Sequence, residues 1–275
     1  MSDDMARARA ERAPTGYGPA QMQFNRLLPD PGPVELTDLL HGLELAAHAP
    51  ADRPYVVSNF AATLDGRIAI DGRSGGIGDD GDHAVFRHLR TQADALLVGT
   101  GTIGHEQYGR PIRAADLREI RARAGLDPAP PLVTITRSGR LPLEIPLFQD
   151  PESRVIVYTP QALAPPRVPA KVQVHRVDEE ADGPLNTAAL RHLRAEHGVR
   201  SLLCEGGPLL LSALLHERLV DELFLTTAPL LAGGGPEFPM TSGAALSPPQ
   251  PLELVWALER NGSIYTRHRL PGSQR

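Results

Sequence analysis

Short apolar runs with the composition of β-strands recur along the chain. The first, residues 54–60, is rich in aromatic and β-branched side chains, and a second apolar patch follows at residues 68–70. Further runs of this kind, each bounded by polar or turn-forming residues, lie at residues 95–99, 131–136, 154–159, 171–177 and 200–205. Their length and boundaries predict buried strands.

Segments with helical spacing separate several of these runs. The apolar positions Val85 and Leu89 predict a helix that begins near Asp79, and residues 185–197 and 209–219 predict two more. Because helices alternate with strands, we predict crossover connections and a largely parallel sheet.

The last third of the chain has a different pattern. Strand-like runs at residues 221–229, 251–260 and 263–270 follow one another, and Asn261-Gly262 joins the last two. An Asn-Gly pair between two such runs is a strong hairpin signal. The predicted fold class is therefore α/β, with a mixed sheet that is mostly parallel, has an antiparallel C-terminal hairpin at its edge, and is flanked by helices.

The N-terminal region lacks a sustained pattern. Its first 21 residues are charged or small, which predicts a mobile tail, and residues 24–49 contain enough leucine for one helix before a Pro-rich break. We therefore predict a tail with a short helical adornment over residues 1–52 and one main domain over residues 53–270.

Composition and charge narrow the class of protein. Apolar residues make up 41% and charged residues 22% of the chain, which is ordinary for a globular protein. A net charge of -5 argues against nucleic acid or an anionic membrane as a partner. A single cysteine excludes an intrachain disulfide, and neither a membrane span nor a signal peptide is visible. We expect a cytoplasmic protein.

Two glycine-rich segments follow predicted strands. Residues 99–104 form a G-x-G-x-x-G in which Gly99 and Gly101 would let backbone amides approach a pyrophosphate, although a plain glycine turn is the alternative. Gly206 and Gly207 end another strand and precede a helix, an arrangement that suits an anion.

Two acidic residues could carry chemistry. Glu205 would repel a pyrophosphate, so we predict that it points towards a substrate, or else that it caps the helix. Asp65 is either a general acid or the first residue of a turn that uses Gly66.

A basic turn follows the strand at residues 131–136. Arg137, Ser138 and Arg140 would suit a phosphate, including the 2′-phosphate of NADP, and a solvated basic turn is the alternative.

Motifs for metal chemistry are missing from the sequence. The histidine and cysteine pattern of zinc deaminases does not occur, and the ten histidines are scattered. Close pairs such as His192 and His197 are five residues apart rather than on one helix face. We therefore predict no metal site.

Three blocks in this order, RPYVVSNFAATLDGRIA, RHLRTQADALLVGTGTI and RSLLCEGGPLLLSALLHERLVDELFL, carry a family resemblance. Over residues 53–270 the chain resembles the reductase domain of bacterial riboflavin biosynthesis enzymes, whose fold is like that of dihydrofolate reductase. The resemblance implies a stand-alone reductase that uses NADPH to reduce the ribosylamino side chain of a phosphorylated pyrimidinedione.

The resemblance also implies site residues. Together with the glycine and basic segments, it places cofactor contacts on Ala62, Gly99, Gly101, Thr102, Glu106, Ser138, Arg140, Gly206, Gly207, Pro208, Leu209 and Leu210. Substrate contacts would fall on Ser74, Arg90, Arg113 and Glu205, with Arg90 and Arg113 clamping a phosphate and Glu205 or Asp65 supplying a proton.

Alternatives to this function stay open. A reductase of a pteridine or of dihydrofolate would use the same cofactor geometry, and a protein that binds NADP(H) without turnover is a further possibility. A strand pair at the C-terminal edge could bury itself against a second subunit, so we predict a homodimer.

Overall fold

Eleven strands form one continuous sheet in this computed structural model, which describes residues 22–70, 72–234 and 239–271. In chain order the strands are β1 (Gln23–Leu28), β2 (Gly32–Glu35), β3 (Tyr55–Thr63), β4 (Ala95–Leu97), β5 (Leu132–Ile135), β6 (Arg154–Thr159), β7 (Lys171–Arg176), β8 (Ser201–Cys204), β9 (Glu222–Ala228), β10 (Glu253–Arg260) and β11 (Ser263–Arg269). Across the sheet their order is β2-β1-β10-β11-β9-β3-β8-β4-β5-β6-β7.

Helices connect the strands. They are α1 (Leu36–His41), α2 (Asp80–Gln92), α3 (Thr100–His105), α4 (Ala115–Arg123), α5 (Pro146–Gln149), α6 (Leu185–His197) and α7 (Pro208–His216), with a 3-10 turn at Leu45–His48. The N-cap of α2 is Asp79, whose carboxylate accepts from the Asp82 amide at 2.9 Å. None of the described helices has the length and apolar character that a membrane span requires.

The sheet is parallel on one side and antiparallel on the other. From β9 through β3, β8, β4, β5 and β6 to β7 all neighbours are parallel. From β9 through β11, β10 and β1 to β2 they are antiparallel. The predicted fold class, a mixed and mostly parallel sheet with a C-terminal hairpin and flanking helices, is confirmed.

The N-terminal region requires a correction. Residues 1–21 lie outside the described residues, but from Gln23 onwards the chain belongs to the sheet, because β1 pairs with β10 and β2 pairs with β1. Instead of one helix over residues 24–49, this segment forms two strands, the short α1 and a 3-10 turn. Its apolar side chains join the core, so it is not an adornment.

The C-terminal hairpin requires a second correction. We predicted it at an edge of the sheet, where it would be free to meet a second subunit. Instead β1 covers β10, and β2 and β7 are the outer strands. The argument that led to a homodimer therefore loses its structural basis.

Helices cover both faces of the sheet. On one face α6 and α7 bury leucines such as Leu190, Leu193 and Leu211. On the other face α1 and α2 bury Leu40 and Leu89 together with side chains of β1 and β10. Burial of this apolar surface fixes the parallel strands, so that their carboxyl ends meet at one edge.

Candidate active site

A cleft of about 1370 Å³ opens at the carboxyl ends of the parallel strands. Residues that follow β4, β5 and β8 line it, together with side chains from the middle of β3 and from α2. Ligands of open α/β sheets bind outside the carboxyl ends of strands, so the position alone makes this cleft the candidate site.

Two glycine loops form one wall of the cleft by packing backbone against backbone. The Gly99 amide donates to the Gly206 carbonyl at 3.0 Å. Gly206 and Gly207 have φ values of +108° and +99°, which L side chains rarely adopt. A Cβ at Gly206 would lie 3.2 Å from the Phe60 ring, and one at Gly207 would lie 3.2 Å from the Thr102 hydroxyl. Only glycine fits at either position.

Helix α7 begins in this wall. Pro208 occupies its first turn, where a missing N–H costs nothing, and the Leu211 amide donates to the Gly207 carbonyl at 2.9 Å. The amides of Leu209 and Leu210 precede that bond and have no acceptor within the helix. We name residues 99–102 and 206–210 the glycine cradle; its backbone geometry suits a pyrophosphate.

A second part of the lining is built from side chains. Nε and Nη2 of Arg90 donate to the two carboxylate oxygens of Glu205 at 2.5 and 2.6 Å, and the Tyr108 hydroxyl donates to Glu205 Oε2 at 2.9 Å. The guanidinium lies over the Phe86 ring, 4.2 Å from its centroid. We name Phe86, Arg90, Tyr108 and Glu205 the charged wall.

In the charged wall, burial and the Glu205 charge act in opposite directions on the pKa of Arg90 and in the same direction on the pKa of Tyr108. The Glu205 side chain is fully buried, whereas Arg90 keeps 17% of its side chain exposed. Although burial opposes the charge of Arg90, the Glu205 carboxylate holds the pKa of Arg90 above its ordinary value. Burial and the same carboxylate raise the pKa of Tyr108 well above its ordinary value. The wall is a fixed array of protonated donors around one carboxylate.

Arg113 differs from the other cleft arginines. Arg90 is paired with Glu205, and Arg110 with Glu152 and Asp150. Arg113 lines the cleft, is exposed, and makes no ion pair with any described residue. It is therefore the cation best placed to receive an anion from solution.

A loop after β3 reaches across to the residue that ends α3. The backbone amide and the hydroxyl of Ser74 both donate to Glu106 Oε1, at 3.1 and 2.9 Å. Both residues line the cleft. Glu106 is thereby fixed as an acceptor next to the glycine cradle.

Two cleft residues were missed by the sequence analysis. Asp82 is buried, and its Oδ1 has no hydrogen-bond partner among the described residues; burial raises its pKa. Asn59 of β3 is also buried, and its side-chain oxygen lacks a partner within the same residues. The only sequence signal for Asp82 was its place three residues after the Asp79 cap, which suggested capping rather than chemistry.

Comparison with known proteins adds to this geometry. The sequence matches the family of the RibD C-terminal domain over residues 54–256. The chain is 33% identical over 183 residues to the 2,5-diamino-6-ribosylamino-4(3H)-pyrimidinone 5′-phosphate reductase of Archaeoglobus fulgidus, covering 66% of this chain and 83% of that protein.

The chain belongs to the RibD C-terminal domain family. It is 28% identical over 182 residues to the riboflavin biosynthesis protein RibD of Mycobacterium tuberculosis, where the match covers 66% of this chain but only 44% of the relative. A pyrimidine reductase-like protein from Corynebacterium diphtheriae has the same fold, with a TM-score of 0.66, 23% identity and coverage of 82% of this chain and 96% of that one. The family resemblance inferred from three sequence blocks is thus confirmed.

Most of the predicted site residues lie together in the cleft of this RibD-type domain. The lining includes Ser74, Arg90, Gly99, Gly101, Thr102, Glu106, Arg113, Ser138, Glu205, Gly206, Gly207, Pro208, Leu209 and Leu210. Their individual roles stay predictions. Both oxygens of Glu205, which was predicted as a possible proton donor, accept hydrogen bonds from Arg90 and Tyr108 in this arrangement.

Asp65 lies elsewhere, and its predicted role as a general acid requires a correction. It is exposed, it does not line the cleft, and its carboxylate accepts from the Thr63 hydroxyl at 2.5 Å and the Gly233 amide at 2.7 Å. These hydrogen bonds, that of Thr63 first, lower the pKa of Asp65 to about 2. The residue therefore stabilises a turn, which was the alternative interpretation.

Two predicted cofactor contacts also lie outside the lining of the cleft. Ala62 is buried within β3, next to the lining residue Ala61. Arg140 is exposed, and its backbone amide donates to the Ser138 hydroxyl at 3.2 Å. Arg137 does line the cleft, but its guanidinium forms a bidentate pair with Glu179.

Proposed function

We propose that this chain is an NADPH-dependent reductase of a phosphorylated ribosylamino-pyrimidine in riboflavin biosynthesis. One observation carries the proposal: a single cleft holds a backbone cradle for a pyrophosphate, the charged wall and the unpaired Arg113. The name of the archaeal relative supports the same substrate class.

The glycine cradle fits a nicotinamide dinucleotide. Close backbone approach at Gly99, Gly206 and Gly207 leaves room for phosphates beside the amides of Leu209 and Leu210, where the positive end of α7 favours their charge. Glu106 would accept from a ribose hydroxyl. When bound, the dihydronicotinamide supplies the hydride.

The choice of NADPH over NADH rests on the turn after β5. Ser138 lies in the cleft, and Arg140 is an exposed cation two residues later without an ion pair in the described part of the chain. A hydroxyl and a guanidinium are suitable donors for a 2′-phosphate. Glu179 pairs with Arg137, so Arg137 would have to exchange that partner to contribute.

Substrate binding would use Arg113 and the charged wall. Arg113 would hold the substrate phosphate through charge-assisted hydrogen bonds, and Arg90 would add its remaining N–H groups, because Glu205 and Pro111 use only three of five. A phosphate in this position favours a nucleotide-like substrate over a pterin, which has none.

Hydride transfer to a C=N bond of the substrate also requires a proton for the nitrogen. We assign Asp82 to this proton transfer. A carboxyl group whose pKa is raised by burial keeps its proton at a higher pH than an ordinary aspartate. Asp82 lines the cleft, and its Oδ1 has no hydrogen-bond partner among the described residues. Neither Asp65 nor Glu205 combines these properties.

Turnover measurements test this function. Oxidation of NADPH should require the phosphorylated ribosylamino-pyrimidine. The reaction should be slower when NADH replaces NADPH, and slower still when dihydrofolate replaces the pyrimidine. A preference for dihydrofolate in kcat/KM would contradict the assignment. Cofactor binding without consumption, with all these substrates, would favour a binding protein instead.

A homodimer and a cytoplasmic location stay predictions. Sedimentation over micromolar concentrations tests the first, and a monomer throughout that range would contradict it.

A further inference from the structure

Three histidines from two elements lie together at the edge of the sheet that β7 forms. His175 is on β7, and His192 and His197 are on α6. One ring nitrogen from each lies within 4.8 Å of the others, and all three side chains are half-buried. The ring centroids of His175 and His192 are 4.4 Å apart, and those of His175 and His197 are 5.1 Å apart.

The fold brings these side chains together although the sequence spacing did not suggest it. His192 and His197 are five residues apart, which led us to predict no metal site. The third histidine comes from the edge strand β7, which precedes α6 in the chain, and a search by spacing within one helix does not include it.

The spacing of two of the nitrogens is close to that of a pair of metal ligands. Nε2 of His175 and Nε2 of His197 are 3.1 Å apart. Two imidazole nitrogens at about 2.0–2.1 Å from a tetrahedral zinc ion would be about 3.3 Å apart. Three histidines with the fourth position left to water form a familiar zinc ligand set.

A neighbouring hydroxyl orients one of the rings. Nδ1 of His192 lies 3.1 Å from the hydroxyl of the buried Tyr158, on β6. If Nδ1 donates to this oxygen, Nε2 presents its lone pair, as a metal-binding histidine does when its second nitrogen is held by a partner.

We propose that His175, His192 and His197 form a binding site for one divalent transition-metal ion of the zinc type, which would join the edge strand β7 to helix α6. None of the three lines the cleft, and His197 ends α6, whose opposite end contributes Leu185 and Asn186 to the lining. At 1.5 Å per residue, Leu185 and His197 are about 18 Å apart along the helix. The ion therefore stabilises the fold and takes no part in the reduction.

Metal titration of the full chain without an affinity tag tests the proposal. After treatment with a chelator, calorimetry should give one Zn²⁺ per chain, and Co²⁺ should give the visible absorption of tetrahedral coordination. Zinc at about one hundred times its Kd should raise Tm by about 5 °C.

Variants locate the site. His175→Gln and His197→Gln should each weaken zinc binding at least about tenfold, and Tyr158→Phe about tenfold. His216→Gln is the control, because His216 contacts the Ser212 carbonyl of its own helix and should leave binding unchanged. Absence of stoichiometric binding, or the same affinity in His175→Gln as in the unmodified chain, would overturn the proposal, whatever the reductase assay shows.

Discussion

The two walls of the cleft are built in different ways. The glycine cradle uses backbone: amides, a helix N-terminus and two positions where a side chain does not fit. The charged wall uses side chains: a carboxylate buried beneath an arginine and a tyrosine, which approach it from segments 115 and 97 residues away along the chain. A backbone wall recognises what all dinucleotides share, whereas a side-chain wall selects one substrate.

The difference also determines how each wall fails. In the cradle, a glycine-to-alanine substitution displaces a neighbouring group but leaves no buried charge without a partner. In the charged wall, removal of one partner leaves the other as an unpaired buried charge, which is a larger penalty.

The largest expected effect follows from Glu205→Gln. Loss of the carboxylate leaves Arg90 buried without its counter-charge, and we expect the free energy of unfolding, measured in urea, to fall by about 3–5 kcal/mol. The double variant Arg90→Met, Glu205→Gln should recover part of this loss.

A matched control exists outside the cleft. Glu222 forms a similar buried bidentate pair with Arg267, so Glu222→Gln should also destabilise the fold but leave KM for the substrate unchanged. A loss below about 1 kcal/mol in Glu205→Gln would mean that the pair behaves like one on the surface.

Asp82→Asn tests a residue that belongs to neither wall. Because the protonated carboxyl is the active form, kcat of the unmodified chain should fall as pH rises through the raised pKa of Asp82. The variant should lose at least about hundredfold in kcat and show no such fall, with KM little changed.

The exposed Asp80, on the same helix, provides the control for Asp82. Asp80→Asn should keep both kcat and its pH profile. Retention of kcat to within about twofold in Asp82→Asn would exclude Asp82 as the proton donor.

A smaller effect is expected from Gly207→Ala in the cradle. The added Cβ meets the Thr102 hydroxyl at 3.2 Å, and we expect the Kd for NADPH, measured by calorimetry, to rise about tenfold, equivalent to about 1.4 kcal/mol. Gly198→Ala also places an alanine at a positive φ, +65°, but nothing lies within 4 Å of its Cβ and it is far from the cradle. If both variants weakened NADPH binding equally, the cradle would have no special role.

The same contrast explains how much the sequence could predict. Helix α6 was predicted to the residue and the strands of the parallel half to within about three residues at their ends, because each is a continuous apolar or periodic run; the patch at residues 68–70 forms no strand. The cradle could also be predicted from local sequence, because its glycine-rich segments directly follow predicted strands. Local pattern is sufficient for features that local backbone creates.

Features made by distant segments were not predictable in this way. The sequence of β1 includes polar residues and lacks the alternation of a strand. Its register opposite β10 is irregular, and its pairing depends on residues about 230 positions later. In the charged wall, Arg90 and Glu205 were assigned separate roles on a substrate, and only the folded chain reveals that they bind each other. The sequence likewise could not distinguish Asp82 from an ordinary capping residue.

We propose that Arg113 holds the substrate phosphate in the cleft. This proposal is tested most directly by kcat/KM for the phosphorylated and dephosphorylated substrate in the unmodified chain, in Arg113→Ala and in Arg123→Ala, whose arginine is exposed on α4 and paired with Glu119. Removal of the substrate phosphate should lower kcat/KM about tenfold to hundredfold in the unmodified chain and in Arg123→Ala, as expected for hydrogen bonds to a charged group. In Arg113→Ala, the same removal should lower kcat/KM by only a small part of that factor. An undiminished phosphate dependence in Arg113→Ala would contradict the account.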